Sequence, residues 1–217
     1  MKSILIIGLG SVGERLARKL SELRNEVMVV DENEEKVEKL APFVTDAQIG
    51  DCTDPEVLKS LGVRNFDVCF VTIGDNFQSS LEITSLLKEF GAKKVVSKAS
   101  SDIQSKFLLR NGADEVFYPE KDMAEKLAIR HNRENIFNFI ELTEDFSIFE
   151  LPIMPEWVGK SIAEIDVRKR YHINILAIKE RDSEMSLPDG TYSFKEGDHI
   201  IVLGNPDDVF KLSAKIK

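Results

Sequence analysis

The chain has 217 residues, 42% of them apolar, a proportion that supports a packed core and excludes a disordered tail. Its net charge of −9 argues against nucleic acid as a partner, because an acidic surface repels a phosphate backbone. The longest unbroken apolar runs, such as Ile4–Ile7, span only four residues, and we expect no leader peptide before the first of them. We therefore expect a cytoplasmic protein without direct membrane insertion.

The first 118 residues alternate short β-branched runs with segments of helical periodicity. The runs predict strands over Ser3–Ile7, Glu26–Val30, Thr45–Ile49, Val68–Thr72, Lys94–Ser97 and Glu115–Tyr118. Apolar positions three and four residues apart predict helices over Val12–Leu23, Glu34–Leu40, Pro55–Leu61, Gln78–Phe90 and Ile103–Asn111. Because apolar strands alternate with helices, we expect an α/β fold with a Rossmann-type doubly wound parallel sheet.

The pattern changes after residue 119. Residues 120–135 form a charged helical segment with Met123 and Leu127 on one face. From residue 138, alternating apolar runs joined by turns predict a second, smaller α+β domain of mainly antiparallel strands, with short helices near Ile162 and over Pro206–Ala214. We therefore expect a first domain at 1–119, a linking helix at 120–137 and a second domain at 138–217.

The motif GLGSVG lies between the first predicted strand and the first predicted helix. In such a motif Gly8 allows a tight turn, Gly10 lets the backbone approach a pyrophosphate, and Gly13 lets helix and strand pack closely. The helix N-terminus at Ser11 and Val12 then offers unpaired N–H groups and a partial positive charge to phosphates. The motif predicts a bound nucleotide; the alternative is a turn that serves packing alone.

Acidic residues at the ends of the next two strands narrow the choice of nucleotide. Asp31 ends the second strand, where a carboxylate binds the ribose hydroxyls in sites of this kind. Because Asp31 and Glu32 would repel a 2′-phosphate, NADP is disfavoured, and AMP, ADP, ATP and NAD(H) remain as candidate ligands. Asp51 either accepts a hydrogen bond from the adenine amino group or caps the following helix beside Asp54.

The segment TIGDN, residues 72–76, ends the fourth predicted strand. It would run beside the phosphates, unless its small residues only permit a turn. The complete candidate nucleotide site is Gly8, Gly10, Ser11, Val12, Gly13, Asp31, Glu32, Asp51, Cys52, Thr72 and Gly74.

The sequence offers little for catalysis. A dehydrogenase needs a proton donor near the hydride, yet none of Tyr118, Tyr171 and Tyr192 is followed four residues later by lysine, and no GxxxxGK[ST] motif occurs. The three histidines lack zinc-ligand spacing, and Cys52 and Cys69 are typical of reduced cytoplasmic thiols. We expect a protein that is not an enzyme; a small NAD-dependent oxidoreductase is the alternative.

Motifs along essentially the whole chain resemble the RCK family, whose members regulate potassium channels and Trk/Ktr-type potassium uptake systems. In this resemblance, the amino-terminal half of the chain corresponds to an RCK domain and the carboxy-terminal half to a TrkA-C domain. The resemblance rests on GLGSVG, VVDENEEKV, GDCTDPEVL, FVTIGDNFQS, SDIQSKFLLRNGADEVFYPEKDMAEKLA, GKSIAEIDVRKRYHINILAIKE and EGDHIIVLG. It implies a regulator that pairs through the helix at 120–135, forms an octameric ring, and gates a membrane potassium-translocating subunit when an adenine nucleotide binds. Such a regulator is peripheral to the inner face of the plasma membrane.

Two positions matter within this resemblance. Ser11 stands where ATP-responsive relatives often carry an arginine that reaches the phosphates, which leaves AMP, ADP and NAD as credible as ATP. Glu120 resembles a family carboxylate near the phosphates, where a divalent cation can bridge them; the alternative is an ordinary first-turn helix acid. Met123 and Leu127 either pair with a second copy or pack within this chain.

Overall fold

The strands predicted for the first half of the chain form one parallel sheet. The structure, a computed structural model, describes residues 1–132, 135–143, 145–181 and 185–216. The first of its two compact units, Met1–Lys121, contains β1 (Ser3–Ile7), β2 (Glu26–Asp31), β3 (Asp46–Ile49), β4 (Val68–Val71), β5 (Val95–Lys98) and β6 (Glu115–Phe117). Each end lies within one residue of its predicted position, and the predicted doubly wound α/β fold is confirmed.

Helices connect these strands and cover both faces of the sheet. They are α1 (Ser11–Glu22), α2 (Glu34–Leu40), α3 (Pro55–Ser60), α4 (Phe77–Glu89) and α5 (Asp102–Arg110), followed by α6 (Pro119–Asn132). Asn33, Asp54, Asn76 and Ser101 cap α2 to α5, each accepting a hydrogen bond from a first-turn N–H group. Two apolar clusters, one on each side of the sheet, form the core of this unit.

The strand order β3-β2-β1-β4-β5-β6 places the start of the chain at the centre of the sheet. The chain moves outward from β1 through β2 to β3, then returns to the other side of β1 with β4. In register, Ile7 at the end of β1 lies between Val30 of β2 and Val71 of β4. This reversal opens a crevice at the carboxyl ends of the strands, where open α/β sheets bind ligands.

The second unit, Asp122–Lys217, is built around an antiparallel sheet. Its strands are β7 (Asn138–Glu141), β8 (Ser147–Pro152), β9 (Ile173–Lys179), β10 (Met185–Ser186) and β11 (His199–Gly204), in the order β10-β9-β11-β8-β7. Burial alternates along β8 and β11, so one face of the sheet supports a core that contains Phe149, Trp157 and Phe194. The predicted smaller α+β domain is thus confirmed.

Short helices complete the second unit: α7 (Ile162–Ile165), α8 (Val167–Tyr171) and α9 (Pro206–Ser213). The first and last were predicted. Helix α8 was not, because its sequence, VRKRY, is mostly charged and lacks an apolar period. It lies between two residues with left-handed backbone conformations, Asp166 and His172.

Helix α6 covers most of the linking helix predicted at 120–137, but the prediction is wrong at its end, because residues 135–137 are not helical; residues 133 and 134 lie outside the described residues. The side chains of Met123 and Leu127 are 57% and 43% exposed. The alternative in which both pack within this chain is therefore wrong. Within the described ranges, every helix is too short or too polar to cross a lipid bilayer.

Candidate functional site

The crevice at the carboxyl edge of the sheet holds a cavity of about 380 Å³. Gly8, Asp31 and Thr72 follow or end the three central strands and therefore meet at its floor. Of the predicted site residues, Gly8, Gly10, Asp31, Glu32, Asp51, Cys52, Thr72 and Gly74 line this cavity. Ser11, Val12, Gly13 and Glu120 are not among the lining residues.

The three glycines of the first loop have different surroundings. Gly8 has φ +93°, a conformation that favours glycine, and its N–H donates to the Val30 carbonyl at 2.9 Å. A Cβ on Gly13 would lie 2.1 Å from the Gly8 carbonyl oxygen, so no side chain fits there. A Cβ on Gly10 would meet nothing within 4 Å. The protein thus packs tightly against the loop at Gly8 and Gly13, whereas there is open space next to Gly10, which lines the cavity.

Helix α1 begins at this loop without a side-chain cap from any described residue. Its first helical hydrogen bond runs from Glu14 N to Gly10 O at 2.9 Å. The N–H groups of Ser11, Val12 and Gly13 precede that bond and have no acceptor inside the helix. Uncapped N–H groups at the positive end of a helix form a favourable site for an anion such as phosphate.

Asp31 holds the glycine-rich loop to the end of β2. The residue is only 8% exposed; its carboxylate Oδ2 accepts from Leu9 N, and Oδ1 accepts from Asn33 N at 2.9 Å. Each carboxylate oxygen has a second lone pair, so both can still accept from ribose hydroxyls. Lys36 places its Nζ 3.9 Å from Asp31 Oδ2, a neighbour that the sequence pattern does not indicate.

The structure distinguishes between the two roles predicted for Asp51, a contact with adenine and the cap of the following helix. Asp54 caps α3, since its Oδ1 accepts from Glu56 N at 2.9 Å. Asp51 Oδ1 instead accepts from Thr53 Oγ1 at 2.7 Å and from Thr53 N at 2.9 Å, and these bonds hold the pKa of Asp51 below its usual range. The prediction that Asp51 caps the helix is wrong, while contact with adenine stays a prediction.

Thr72 and Gly74 lie in the loop after β4, where they contact residues from other strands and loops of the crevice. Thr72 is buried and its hydroxyl donates to the Gly8 carbonyl at 2.5 Å, so the hydroxyl is engaged within the protein. A Cβ on Gly74 would lie 3.2 Å from Lys98 Nζ. Lys98 ends β5 at the same edge of the sheet, and sequence reasoning missed it because nothing in the primary sequence pairs it with residue 74.

Glu120 forms an ion pair with Lys98, with Oε1 and Nζ 2.6 Å apart. The hydrogen bond from Lys98 holds the pKa of Glu120 below its usual range. Among the residues that the structure describes, no three potential metal ligands of the His, Cys, Asp and Glu types lie together. Glu120 would therefore need oxygens from a bound nucleotide or from water to hold a cation.

The two cysteines are buried thiols with little reactivity expected. Burial raises the pKa of Cys52 to about 12, with smaller contributions from Asp51 and Asp31, and burial raises the pKa of Cys69 to about 12. Since the thiolate is the reactive species, Cys52 serves as an apolar part of the cavity floor.

We expect iodoacetamide at pH 8 to alkylate both thiols of the folded protein at least ~100-fold more slowly than those of the urea-unfolded chain. Mass spectrometry of timed samples measures the two rates separately. Alkylation of folded Cys52 at the unfolded rate would show that the cavity floor is open to solvent.

Comparisons with known proteins agree with this architecture. The TrkA-N domain model matches residues 4–119, and the TrkA-C domain model matches residues 146–217. Ktr system potassium uptake protein C of Bacillus subtilis (strain 168) is 37% identical over 215 residues, which cover 99% of this chain and 97% of that protein. Ktr system potassium uptake protein A of the same organism is 38% identical over 208 residues, or 96% and 94%.

A solved structure of the GsuK channel bound to NAD shares the fold. It superimposes with a TM-score of 0.70 at 21% sequence identity and covers 100% of this chain. This chain spans only 39% of the length of that channel chain.

Proposed function

Because the chain belongs to the family of Ktr and Trk potassium uptake proteins with a TrkA-N domain followed by a TrkA-C domain, we propose that it is a nucleotide-sensing regulatory subunit. It binds an adenine nucleotide in the crevice between Gly8, Asp31 and Gly74 and gates a membrane potassium-translocating subunit from the cytoplasmic side. The observation that carries this proposal is the open glycine loop in front of the uncapped N-terminus of α1, with Asp31 beside it.

The chemistry of the crevice supports an adenine nucleotide with free ribose hydroxyls. The first-turn N–H groups of α1 receive the phosphates, and the buried Asp31 carboxylate receives the ribose. Glu32, Asp51 and Asp75 also line the cavity, and this negative charge disfavours the 2′-phosphate of NADP. AMP, ADP, ATP and NAD(H) all satisfy these requirements; the GsuK structure with NAD supports the last of them.

A divalent cation is a further part of the proposal. Glu120 supplies one exposed carboxylate beside Lys98, and phosphate oxygens and water would complete the oxygen shell that such ions prefer. The cation would depend on the nucleotide, because the described residues offer no preformed cluster of ligands.

Exposed apolar side chains support self-association. Met123 and Leu127 on α6, and Ile103 and Phe107 on α5, are all exposed large hydrophobic residues. Apolar surface of this kind on two helices is typical of contacts between subunits. We propose dimers paired through α6, assembled into an octameric ring beneath the membrane subunit.

In this proposal the protein regulates and does not catalyse. A nucleotide changes the ring only through a difference in its affinity for two ring conformations. The alternative, a small NAD-dependent oxidoreductase, would require a proton donor beside the nicotinamide. Of the described residues lining the cavity, none is a histidine or tyrosine, Cys52 is buried, and Lys36 lies beside Asp31 at the end proposed for the ribose.

Thermal unfolding in the presence of nucleotides tests the proposal. At about 100 times Kd, a bound nucleotide stabilises the folded state by ~2.7 kcal/mol, which raises Tm by on the order of 5–10 °C. We expect this shift for at least one of AMP, ADP, ATP and NAD(H), a smaller one for NADP, and a ring-sized mass by light scattering. A monomer that no nucleotide stabilises contradicts the regulator; NADH oxidation by a small carbonyl compound supports the oxidoreductase.

A further inference from the structure

The ammonium group of Lys98 lies between the crevice and the start of α6. We propose that Lys98 recognises the outer phosphate of a bound nucleoside diphosphate and exchanges its ion pair with Glu120 for that phosphate. The inference rests on the proposed nucleotide site and adds to it a residue that distinguishes diphosphates from monophosphates. It also gives the site a direct connection to the first turn of α6.

The placement of Lys98 follows from the sheet. Strands β4 and β5 are neighbours, with Val71 opposite Ser97, so Lys98 lies beside Thr72, which is hydrogen bonded to the Gly8 carbonyl. The loop after Thr72 contains Gly74, whose missing side chain leaves Lys98 Nζ 3.2 Å from the Cβ position. Lys98 is therefore directly against a residue that lines the cavity.

The burial of Lys98 differs from that of an ordinary surface lysine. Its side chain is 12% exposed while that of its partner Glu120 is 55% exposed. Among the ion pairs formed by the described residues, Lys98 has the least exposed cationic side chain. An ammonium group has three donors, so a nearly buried one beside a cavity can bind an entering anion more strongly than a solvated one can.

The charges around the cavity make Lys98 the side chain best suited to bind an outer phosphate. The described lining residues include Asp31, Glu32, Asp51 and Asp75 but only one cation, Lys36. Lys36 lies 3.9 Å from Asp31, at the end of the crevice assigned to the ribose. On the Gly74 side, the described part of the chain offers Lys98 and helix N-termini as positive groups that can meet phosphate charge beyond the first phosphate.

An outer phosphate that binds Lys98 competes with Glu120 for the same ammonium group. Since Glu120 lies in the first turn of α6, release of the pair frees the start of this helix, whereas AMP leaves the pair intact. Removal of the Glu120 charge should therefore strengthen diphosphate binding, and removal of the Lys98 charge should weaken it.

Calorimetric titration of the full chain with adenosine, AMP and ADP tests the exchange. For Lys98→Met we expect ADP to bind about ten-fold more weakly, the cost of one charge-assisted hydrogen bond, with adenosine unchanged and AMP changed less than ADP. For Glu120→Gln, titrated in metal-free buffer so that the cation proposed at Glu120 is absent, we expect ADP to bind several-fold more tightly. Lys94→Met is the matched control, because it removes a 2.6 Å ion pair with Glu115 at the amino edge of the same sheet and should leave all three affinities unchanged.

Two outcomes overturn the inference while leaving the nucleotide site intact: Lys98→Met binds ADP like the unmodified chain, or Glu120→Gln binds ADP more weakly. In the second case the pair serves the nucleotide jointly and does not compete with it. Glu120 is exposed, so its variant is informative even if Lys98→Met fails to fold by circular dichroism. If the unmodified chain binds neither AMP nor ADP, the proposed function itself fails for these ligands.

Discussion

Replacing Gly13 with alanine is expected to destabilise the first unit by about 3 kcal/mol and to abolish nucleotide binding. The added methyl carbon would lie 2.1 Å from the Gly8 carbonyl oxygen and 2.6 Å from Thr72 Oγ1. Neither neighbour can move freely, because Thr72 is buried and donates to Gly8 while Gly8 N is bonded to β2. To relieve this overlap, α1 must move away from β1 and β4. This movement displaces the first-turn N–H groups that face the cavity. Urea unfolding followed by circular dichroism, together with ADP titration, measures both effects.

Gly10→Ala is the matched control within the same motif. Its methyl group meets no described atom within 4 Å, and its backbone conformation is one that alanine adopts, so we expect a loss of under about 1 kcal/mol, mostly from the poorer N-cap. The methyl group does project into the space proposed for the phosphates, so ADP binding should still weaken. If both variants are equally stable, the close approach of α1 to the Gly8 carbonyl is not essential for the fold.

The fold could be predicted because its signals are local. Apolar strands, helical periodicity and the glycine motif each occupy a few consecutive residues, and their alternation along the chain determines a doubly wound sheet. The loop functions of Gly8 and Gly13 follow from the same local pattern. The crevice then follows from topology, since residues that end parallel strands meet at one edge of the sheet.

Other features of the site could not be predicted from the sequence. They depend on contacts between residues that are distant along the chain, or on which of two nearby residues takes a given role. Asp51 and Asp54 both precede α3, and only the hydrogen bonds that their carboxylates accept show that Asp54 is the cap. The partner of Glu120 is Lys98, 22 positions earlier, on a strand whose neighbour is set by the sheet order. The hydrogen bond from Leu9 N to Asp31 likewise joins the loop after β1 to the end of β2, so Asp31 has a structural role that the sequence pattern did not indicate.

That second role of Asp31 makes its replacement the most discriminating test of the site. The carboxylate holds Leu9 N and Asn33 N, so Asp31→Ala leaves two N–H groups without their acceptor and loosens the glycine-rich loop. Lower affinity alone would therefore not separate a direct contact with ribose from a loop that has lost its support. A ligand that lacks one hydroxyl separates the two.

For Asp31→Ala we expect ADP to bind at least ~100-fold more weakly, since the loss of two charge-assisted hydrogen bonds to the ribose adds to the loosening of the loop. The unmodified chain should bind 2′-deoxy-ADP roughly ten-fold more weakly than ADP, whereas Asp31→Ala should bind the two alike, because the hydroxyl has lost its partner. Calorimetric titration of both chains with both ligands gives the four affinities. If the ratio of the two affinities stays the same in the variant, Asp31 acts only by supporting the loop through Leu9 and Asn33, and the ribose is bound elsewhere in the crevice.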